Sequence, residues 1–294
     1  MEKKQHKVAE KKGGDEAEQQ LVQVKKRKRK EVFPFGNYKN YYGYRIGGGF
    51  DEDPRLKVFK KEWFQDKKCL DIGCNSGIIT IQIAKKFRCR SILGIDIDSN
   101  RVEDAYWHLR KIVKKEKDER NRAQASRLDV SGNTDGRQLG LTVIANAEEE
   151  VSKDCSPLVE RDLHDIVSFQ QENFVHSQHP LQSQYDTILC LSVTKWIHLN
   201  WGDDGLITLF TRIWRLLHPG GIFVLEPQPW RSYEKNRRVS QTTAANYQNI
   251  VYHPEQFQEI LLDKIGFRRV EVITSDGLSD SKTGFDRPIF AFQK

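Results

Sequence analysis

The sequence of 294 residues lacks the features that mark membrane and secreted proteins. It has no run of 18 apolar residues, so we expect no membrane-spanning helix. Its first residues, MEKKQHKVAEKKGG, contain no apolar core of the kind that a secretory signal needs. No Cys-x-x-Cys pair occurs, which argues against a disulfide scaffold or a zinc finger and for a reducing compartment, and we expect no metal. The five cysteines are Cys69, Cys74, Cys89, Cys155 and Cys190.

Residues 1–30 contain few acids and almost no aromatic or branched apolar residues. They hold eleven Lys and Arg against five Asp and Glu, and so carry six of the seven net positive charges of the chain. Such a segment cannot bury enough surface to offset its ordering entropy, which predicts a disordered basic tail. The six consecutive cations from Lys25 to Lys30 indicate a nuclear import signal or a sequence-independent grip on phosphates, with a solvated charge run as the alternative. We expect a nuclear protein, with the cytoplasm as a second location.

Residues 33–45, FPFGNYKNYYGYR, form an aromatic segment that contains six aromatic side chains. One interpretation is an N-terminal flap that packs on the core. The other is a lid that stacks on a ligand and holds anions with Lys39 and Arg45. The two interpretations are compatible.

From residue 67 onward, strand-like and helix-like patterns alternate, which predicts a parallel, doubly wound α/β sheet. The polar and aperiodic stretch of about residues 116–163 predicts a long insertion, largely disordered. The predicted strands are 67–73, 91–98, 185–193, 221–226, 267–273 and 288–292, with a further regular segment at 165–174, and the predicted helices are 77–87, 99–115, 204–217 and 254–265.

A glycine loop between the first predicted strand and helix indicates a ligand site. In this fold class, ligands bind outside the carboxyl ends of the strands. Gly73 and Gly77 allow the backbone to turn tightly and to approach a ligand. Asp96 ends the second predicted strand, where a carboxylate can accept hydrogen bonds from both hydroxyls of a ribose. A dinucleotide and S-adenosyl-L-methionine both carry such a ribose.

The same loop favours S-adenosylmethionine over a dinucleotide. Asn75 replaces the middle glycine of the G-x-G-x-x-G pattern, which is needed for close approach of a pyrophosphate. Asp71, two residues before Gly73, suits the ammonium group of a methionine moiety. The Leu-Leu-His-Pro-Gly-Gly turn and the pair of late strands are also typical of methyltransferases that use this cofactor.

Six sequence blocks resemble, in order, the Bicoid-interacting-protein / methylphosphate capping enzyme family of RNA methyltransferases, in a plant-type version. They are GNYKNYYGYR, LDIGCNSG, LGIDID, LCLSVTKWIHLNWGDDGL, LHPGGIFVLEPQPW and GFDRPIF. The resemblance covers about residues 31–294 apart from the insertion. It implies a class I methyltransferase (Rossmann-like) fold, with a mostly parallel seven-stranded sheet and helices on both faces. It also implies transfer of a methyl group to the 5′-terminal phosphate of a small RNA, of the 7SK type or another small nuclear RNA.

The resemblance further implies which residues touch the methyl donor. Phe174 stands where the animal enzyme has a tyrosine, so stacking is implied there without the hydroxyl contact. The implied donor contacts are Tyr42, Arg55, Gly73, Cys74, Asn75, Asp96, Ile97, Asn173, Phe174 and Leu191.

The segment after the fourth strand indicates an anionic methyl acceptor. It lacks the D/N-P-P-Y/F motif with which amine and base methyltransferases hold an NH₂ group, and it carries Lys195 and hydroxyls instead. A terminal phosphate has a second pKa of about 6, so its oxygen needs alignment and cations rather than a strong base. We expect Lys195 and Arg45 to hold the non-reacting oxygens, with Tyr41 and His198 as hydrogen-bond donors.

Other aromatic and basic residues on this side allow two interpretations. Trp196, Trp201 and Trp230 serve either packing or RNA contact. The basic cluster Arg231, Lys235, Arg237 and Arg238 is either a solvated loop or a contact for the RNA backbone.

The expected partners are an RNA 5′ end and ribonucleoprotein proteins, and we expect a monomer. A 5′-monophosphate RNA is an alternative substrate. One alternative function is a protein or small-amine methyltransferase, against which the missing motif argues. Another is an RNA-binding ribonucleoprotein subunit that retains its capped product, and an intact donor site is compatible with it.

Deletion of residues 1–30 tests the interpretation of the tail. The truncated protein should leave the nucleus and bind RNA more weakly at low salt, because the phosphate grip is electrostatic. Its kcat at saturating RNA should stay close to that of the full chain. Microscopy, filter binding and methyl-transfer assays measure the three quantities, and a collapse of kcat would place the tail in the active site.

Overall fold

The computed structural model describes residues 32–46, 52–130, 162–177, 184–273 and 287–294. The chain divides into a unit of Met1–Val32 and a second unit of Phe33–Lys294. Of the first unit only Val32 is described, so the predicted disordered tail lies outside the described residues. The same holds for residues 131–161 of the predicted insertion.

Seven strands form one sheet in the second unit. They are β1 (Lys68–Ile72), β2 (Ser91–Asp96), β3 (Val167–Gln171), β4 (Tyr185–Leu191), β5 (Leu217–Glu226), β6 (Arg269–Ile273) and β7 (Ile289–Gln293). Their order across the sheet is β3-β2-β1-β4-β5-β7-β6. The first five strands are parallel, and β7 runs antiparallel to both β5 and β6. The predicted mostly parallel seven-stranded sheet is confirmed.

Helices cover both faces of the sheet. One face packs against α2 and α3 through residues such as Ile83 and Ala105, and the other packs against α5 and α8 through Phe210 and Phe257. No helix in the described ranges is long and apolar enough to cross a bilayer. The helices are α1 (Tyr41–Ile46), α2 (Ile78–Phe87), α3 (Ser99–Val130), α4 (Leu163–Ile166), α5 (Thr194–Leu216), α6 (Trp230–Asn236), α7 (Gln241–Asn249) and α8 (Phe257–Glu259), with 3₁₀ turns at Pro54–Lys57, Lys61–Trp63 and Pro254–Gln256 and a π-helical turn at Ile260–Ile265.

The central strand β4 shows why its sequence is a continuous apolar run. Successive side chains of a strand point to opposite faces. Leu189 and Leu191 therefore enter the core under α2 and α3, whereas Ile188 and Cys190 enter the core under α5. A parallel strand between two helical layers has no polar face, so its sequence does not alternate between apolar and polar residues.

Helix α3 is longer than predicted. The expected end near Lys115 is wrong, because the helix continues to Val130 and takes in the first part of the predicted insertion. Its second half is a polar helix with the ion pair Lys115–Glu119 (3.8 Å) spaced four residues apart. Such a helix buries no apolar stripe, so periodicity gives no signal for it. Asp98 caps the start of the helix, since one of its carboxylate oxygens accepts from the Asn100 amide at 2.9 Å.

Helix α5 begins ten residues before its predicted start at Asp204. The side chain of Gln228, two residues after β5, holds the first turn of this helix. Its Oε1 accepts from the Lys195 amide (3.1 Å) and from the Thr194 hydroxyl (3.2 Å). Gly202, at φ 64° and ψ −165°, then interrupts the helix and breaks its apolar period. As a consequence, Lys195 lies on a helix rather than on a loop.

A buried ion network ties the segment before β1 to the end of β5. The Arg55 guanidinium donates to Asp53 Oδ2 at 2.7 Å and to Glu226 Oε2 at 2.9 Å, and all three side chains are at most 1% exposed. Burial by itself would lower the pKa of Arg55, but the two carboxylates raise it well above its ordinary value. Arg55 therefore stays charged although its side chain is buried.

Substitution Arg55→Met tests the weight of this network. It leaves two buried carboxylates without their cation, so the free energy of unfolding should fall by about 3–5 kcal/mol. Lys60→Met is the matched control, because it breaks the exposed Lys60–Glu271 pair (2.7 Å) and should cost at most about 1 kcal/mol. Urea unfolding measures both, and equal losses in the two variants would contradict the assignment.

Candidate active site

A cavity of about 710 Å³, including its open mouth, lies at the carboxyl ends of β1, β2 and β4. That volume is in the range of small-molecule and cofactor sites. Eight of the residues predicted from the sequence line it: Tyr41, Gly73, Asn75, Asp96, Ile97, Asn173, Phe174 and Leu191.

The loop after β1 takes the shape that its glycines allow. Gly73, Asn75 and Gly77 all have positive φ, at 74°, 51° and 70°. A Cβ on Gly73 would lie 2.3 Å from Val193 Cγ2, so only glycine fits against the segment after β4. A Cβ on Gly77 would lie 2.5 Å from Phe169 Cζ, so this glycine serves packing behind the loop rather than the cavity wall.

Asp96 presents its carboxylate at the end of β2. One oxygen accepts from the Asn75 amide at 2.9 Å, and the other accepts from the Asp98 amide at 3.0 Å. Each carboxylate oxygen keeps a second lone pair, which is what two neighbouring ribose hydroxyls need. Burial raises the pKa of Asp96, and these two amides oppose the rise.

An acceptor atom that the sequence analysis missed lies in the same wall. Asn37 lines the cavity, and its Oδ1 is buried without a hydrogen-bond partner, while its amide nitrogen donates to Asp98. A buried polar atom without a partner indicates a missing ligand or water. Together with the apolar surfaces of Ile97 and Phe174, these groups fit the adenosine part of S-adenosylmethionine.

Four predicted donor contacts stand behind the cavity wall and do not line it. Asp71 accepts from the Thr80 hydroxyl at 2.6 Å, and burial raises its pKa to about 6. Tyr42 accepts from the Ile79 amide at the start of α2 (3.3 Å). Arg55 is engaged in its ion network, and the thiol of Cys74 faces the Asn75 carbonyl at 3.6 Å. These side chains hold the loop in place, and the expected contact between Asp71 and an ammonium group stays a prediction.

On the opposite side of the cavity, Lys195 is buried. It is 5% exposed, its Nζ donates to Ser232 Oγ at 2.9 Å, and it lies 4.2 Å from the ring centre of Trp196, which lines the cavity. Burial, followed by the charge of Arg287, lowers the pKa of Lys195 to about 7. The amine of Lys195 thus lies next to the cavity, with a pKa close to neutral pH.

The structure places His198 outside the lining of the cavity. Its side chain is fully buried, Nε2 lies 2.7 Å from Asp203 Oδ1, and Nδ1 lies 3.4 Å from the Tyr233 hydroxyl. Both ring nitrogens have a polar partner, so the ring braces α5, and its donation to an acceptor phosphate stays a prediction. The side chain of the other predicted cation, Arg45, lies outside the described residues, although its backbone belongs to α1.

The aromatic segment lies over the mouth of the cavity. Phe35 stacks on Trp201 at 5.9 Å, and Tyr38 meets the edge of Trp196 at the same distance. Gly36 lies so close to Trp196 that a Cβ would come within 2.0 Å of its Nε1. The two tryptophans therefore both pack the flap and line the cavity.

Trp230 has a packing role. It stacks between Tyr247, at 4.9 Å, and His253, at 4.1 Å. The basic residues that follow it begin on α6 rather than on a loop.

Sequence reasoning also missed Ser192 and Arg287. Ser192 lines the cavity with φ 64°, and its hydroxyl donates to Glu226 Oε2 at 2.9 Å. Arg287 donates to the same hydroxyl at 2.8 Å. Arg287 lies in the block GFDRPIF that carries the family resemblance, but 95 positions separate it from Ser192. Only the folded sheet brings them together.

Substitution Asp96→Ala tests the donor site. The loss of both ribose acceptors should weaken S-adenosylmethionine binding by about a hundredfold, since each hydrogen bond to a charged group is worth about 1.5–3 kcal/mol. Calorimetry measures the affinity, with Asp263→Ala, an exposed acid on the π-helical turn, as the control. Unchanged affinity in Asp96→Ala would reject the cofactor assignment.

Known proteins resemble most of this chain. Residues 185–294 match the family model described as Bicoid-interacting protein 3 (Bin3). A probable RNA methyltransferase of Arabidopsis thaliana is 61% identical over 269 residues, which cover 92% of this chain and 83% of that protein. The U6 snRNA methylphosphate capping enzyme Amus of Drosophila melanogaster is 35% identical, over 89% of this chain and 75% of that protein.

A solved structure shares the fold. Phosphoethanolamine N-methyltransferase 2 of Haemonchus contortus, in complex with S-adenosyl-L-methionine, aligns with a TM-score of 0.50 at 16% identity, over 90% of this chain and 60% of that chain. At this identity the likeness shows the class I methyltransferase fold alone. With the two close relatives and the family model, it follows that the chain belongs to the Bicoid-interacting protein 3 family, which includes methylphosphate capping enzymes.

Proposed function

We propose that this chain is an S-adenosylmethionine-dependent RNA methyltransferase that places a methyl group on the 5′-terminal phosphate of a small RNA. The observation that carries the proposal is Lys195, a buried lysine beside a nucleoside-sized cavity. Within the described part of the chain, no carboxylate lies within ion-pair distance of its Nζ. The relatives support an RNA substrate, since one is a probable RNA methyltransferase and another caps U6 snRNA.

The segment after β4 is not suited to hold an amine. An amine acceptor needs backbone or side-chain oxygens that accept its N–H groups. Here the Ser192 carbonyl already accepts from the Gln228 amide, and the Thr194 hydroxyl is bonded to the other end of Gln228. The buried lysine, together with the one carbonyl that Gln228 already engages, favours an anion over an amine.

A phosphate acceptor requires little acid–base chemistry from the protein. The cofactor supplies an electrophilic methyl group on a sulfonium when bound. The terminal phosphate is largely ionised at pH 7 because its second pKa is about 6. Lys195 is proposed to hold a non-reacting oxygen, with Tyr41 at the cavity wall and Arg45 on α1 as further contacts.

The aromatic segment of residues 33–45 is proposed to exclude water from the site. Phe35 and Tyr38 pack on Trp201 and Trp196 across the mouth of the cavity. A dry site strengthens the attraction between a cation and a phosphate. Because Tyr38 also donates to Asn236 on α6 (3.3 Å), the flap reaches the helix that approaches Lys195 through Ser232.

The RNA backbone is proposed to follow α6 away from the site. This helix and the turn after it carry the exposed cations Arg231, Lys235 and Arg238. Cations along a strand path contribute affinity without sequence preference. With the basic run at residues 25–30, these cations support a nuclear protein that acts on small RNA. That the chain is a monomer and binds ribonucleoprotein proteins is also part of the proposal.

Substitution Lys195→Ala should reduce methyl transfer to 5′-phosphorylated RNA by about ten- to a hundredfold, which corresponds to one charge-assisted contact. Affinity for S-adenosylmethionine should stay within about twofold, because Lys195 does not line the donor cavity. Labelled methyl transfer and calorimetry measure the two effects.

The control variant is Lys61→Ala, an exposed lysine in the 3₁₀ turn before β1. RNAs of one sequence with a 5′-triphosphate, a 5′-monophosphate or a 5′-hydroxyl test the acceptor in the wild-type protein. Methylation of the 5′-hydroxyl RNA at the rate of the phosphorylated ones would reject the phosphate mechanism.

A further inference from the structure

Helix α3 packs on the sheet through one face and turns Trp107 to the opposite side. Val102, Ala105 and Leu109 form the packed face and are at most 8% exposed. Trp107 lies two residues from both Ala105 and Leu109, and residues at this spacing point away from each other on a helix. The indole is accordingly 51% exposed.

The exposure of Trp107 sets it apart from the other tryptophans. All six tryptophans of the chain lie in described residues, and the other five are buried or half-buried. The helix is fixed at this point, because the Tyr106 hydroxyl donates to the Phe169 carbonyl on β3 at 2.7 Å and His108 Nδ1 lies 3.0 Å from the Ser76 carbonyl. A large apolar ring is therefore held in solvent on a rigid element, which indicates a contact surface.

Four cations share this outer face with Trp107. The Lys111 ammonium lies 4.9 Å from the centre of the Trp107 ring. Arg110, Lys114 and Lys117 follow at spacings of three and four residues, which align side chains along one side of a helix. All four are exposed, and within the described part of the chain no carboxylate lies within ion-pair distance of any of them. We call Trp107 and these four cations the α3 stripe.

The acids of this half of α3 leave the stripe positively charged. Glu116 pairs with Lys85 of α2 at 2.7 Å, and Glu119 pairs with Lys115 at 3.8 Å. Asp118 follows the last cation and ends the stripe. Uncompensated positive charge therefore extends over about 10 Å of helix next to the exposed indole.

We propose that the α3 stripe binds a single-stranded segment of the RNA substrate, with a base stacked on Trp107 and the backbone phosphates on the cations. Aromatic rings beside cations bind single strands in this way, without preference for a sequence. An acidic protein segment is the other polyanion to consider, but it supplies charge without a ring that stacks on the indole. The proposal deepens the proposed function and rests on it.

The stripe is separate from the methyl-transfer site. Helix α3 begins at Ser99, three residues after Asp96 in the cavity wall, and Trp107 lies about 12 Å further along the helix axis. An RNA whose 5′ end occupies the cavity reaches the stripe only with nucleotides further along its chain. The stripe therefore contributes affinity for longer RNA and takes no part in the reaction. It is also distinct from α6, which follows β5 rather than β2.

Substitution Trp107→Leu tests the stacking contact. Removal of the ring should weaken binding of single-stranded, 5′-phosphorylated RNA by about five- to 150-fold, because stacking of one base is worth about 1–3 kcal/mol. Trp107→Phe should recover part of the loss, since it keeps an aromatic face. Filter binding measures the affinity. Both variants should melt as the wild type does, because the ring packs on no buried core.

The variant in which Arg110, Lys114 and Lys117 are all changed to Gln tests the charges. The slope of log affinity against log salt concentration should become shallower by about 2, since each phosphate contact on a single strand contributes about 0.7. The matched control changes Lys57, Lys61 and Lys264 to Gln. It removes the same charge from exposed lysines outside α3 and should keep the wild-type slope.

A series of RNA lengths with one 5′ end separates the stripe from the cavity. For a 5′-phosphorylated dinucleotide, which is too short to reach α3, the stripe variants should have the KM and kcat of the wild type. As the RNA is lengthened, KM should fall for the wild type and the control variant but not for the stripe variants, with kcat unchanged.

The outcomes distinguish this proposal from the function on which it rests. If the wild type methylates phosphorylated RNA and the folded stripe variants bind long RNA with its affinity and salt slope, the stripe is wrong and the function stands. If the wild type prefers 5′-hydroxyl RNA, the function itself is wrong. An equal loss with the dinucleotide would place the effect in the cavity and reject the stripe.

Two further results would also reject the proposal. A shallower salt slope in the charge variant with unchanged affinity in Trp107→Leu would exclude base stacking. Unchanged RNA affinity in both stripe variants, together with lost binding of poly-L-glutamate, would assign the stripe to an acidic protein segment instead.

Discussion

The carboxylate of Glu226, at the end of β5, is the contact on which the site depends. One of its oxygens accepts from Arg55 and from Ser192, at 2.9 Å each. Through Arg55 it ties the segment before β1 to the sheet, and through Ser192 it sets the cavity wall and the position of Arg287. A buried carboxylate is stable only while its cation stays in place, so the geometry of several distant segments is held together by one group.

The chemistry of the site follows from how α5 begins. Gln228 accepts from the Lys195 amide and donates to the Ser192 carbonyl, so one of the two lone pairs of that carbonyl is already engaged. The first turn of the helix then places the Lys195 ammonium in a buried position beside Trp196. The charge of Arg287 acts on this ammonium, and two basic groups on this side favour an anionic acceptor over an amine.

Several parts of the candidate site could be predicted because their signals are local. Gly73 and Asp96 stand at fixed distances from strand ends, and both line the cavity in the structure. His198 and α3 show the limit of such reasoning. His198 lies three positions after Lys195 on α5, a spacing that places two side chains on one face of a helix, but its ring contacts Asp203 and Tyr233. The end of α3 is missed because an exposed polar helix has no apolar period.

The sequence by itself determined the alternation of strands and helices, the loop of Gly73 and Gly77, and the acid at the end of β2, since these depend on neighbours within a few residues. Only the tertiary structure decided which polar side chains share the site. The antiparallel course of β7 brings Arg287 to Ser192, 95 residues away, and the ion network under them fixes both. Contacts of this kind depend on which strand ends meet at the sheet edge, and strand pairing is a property of the whole chain rather than of any short segment.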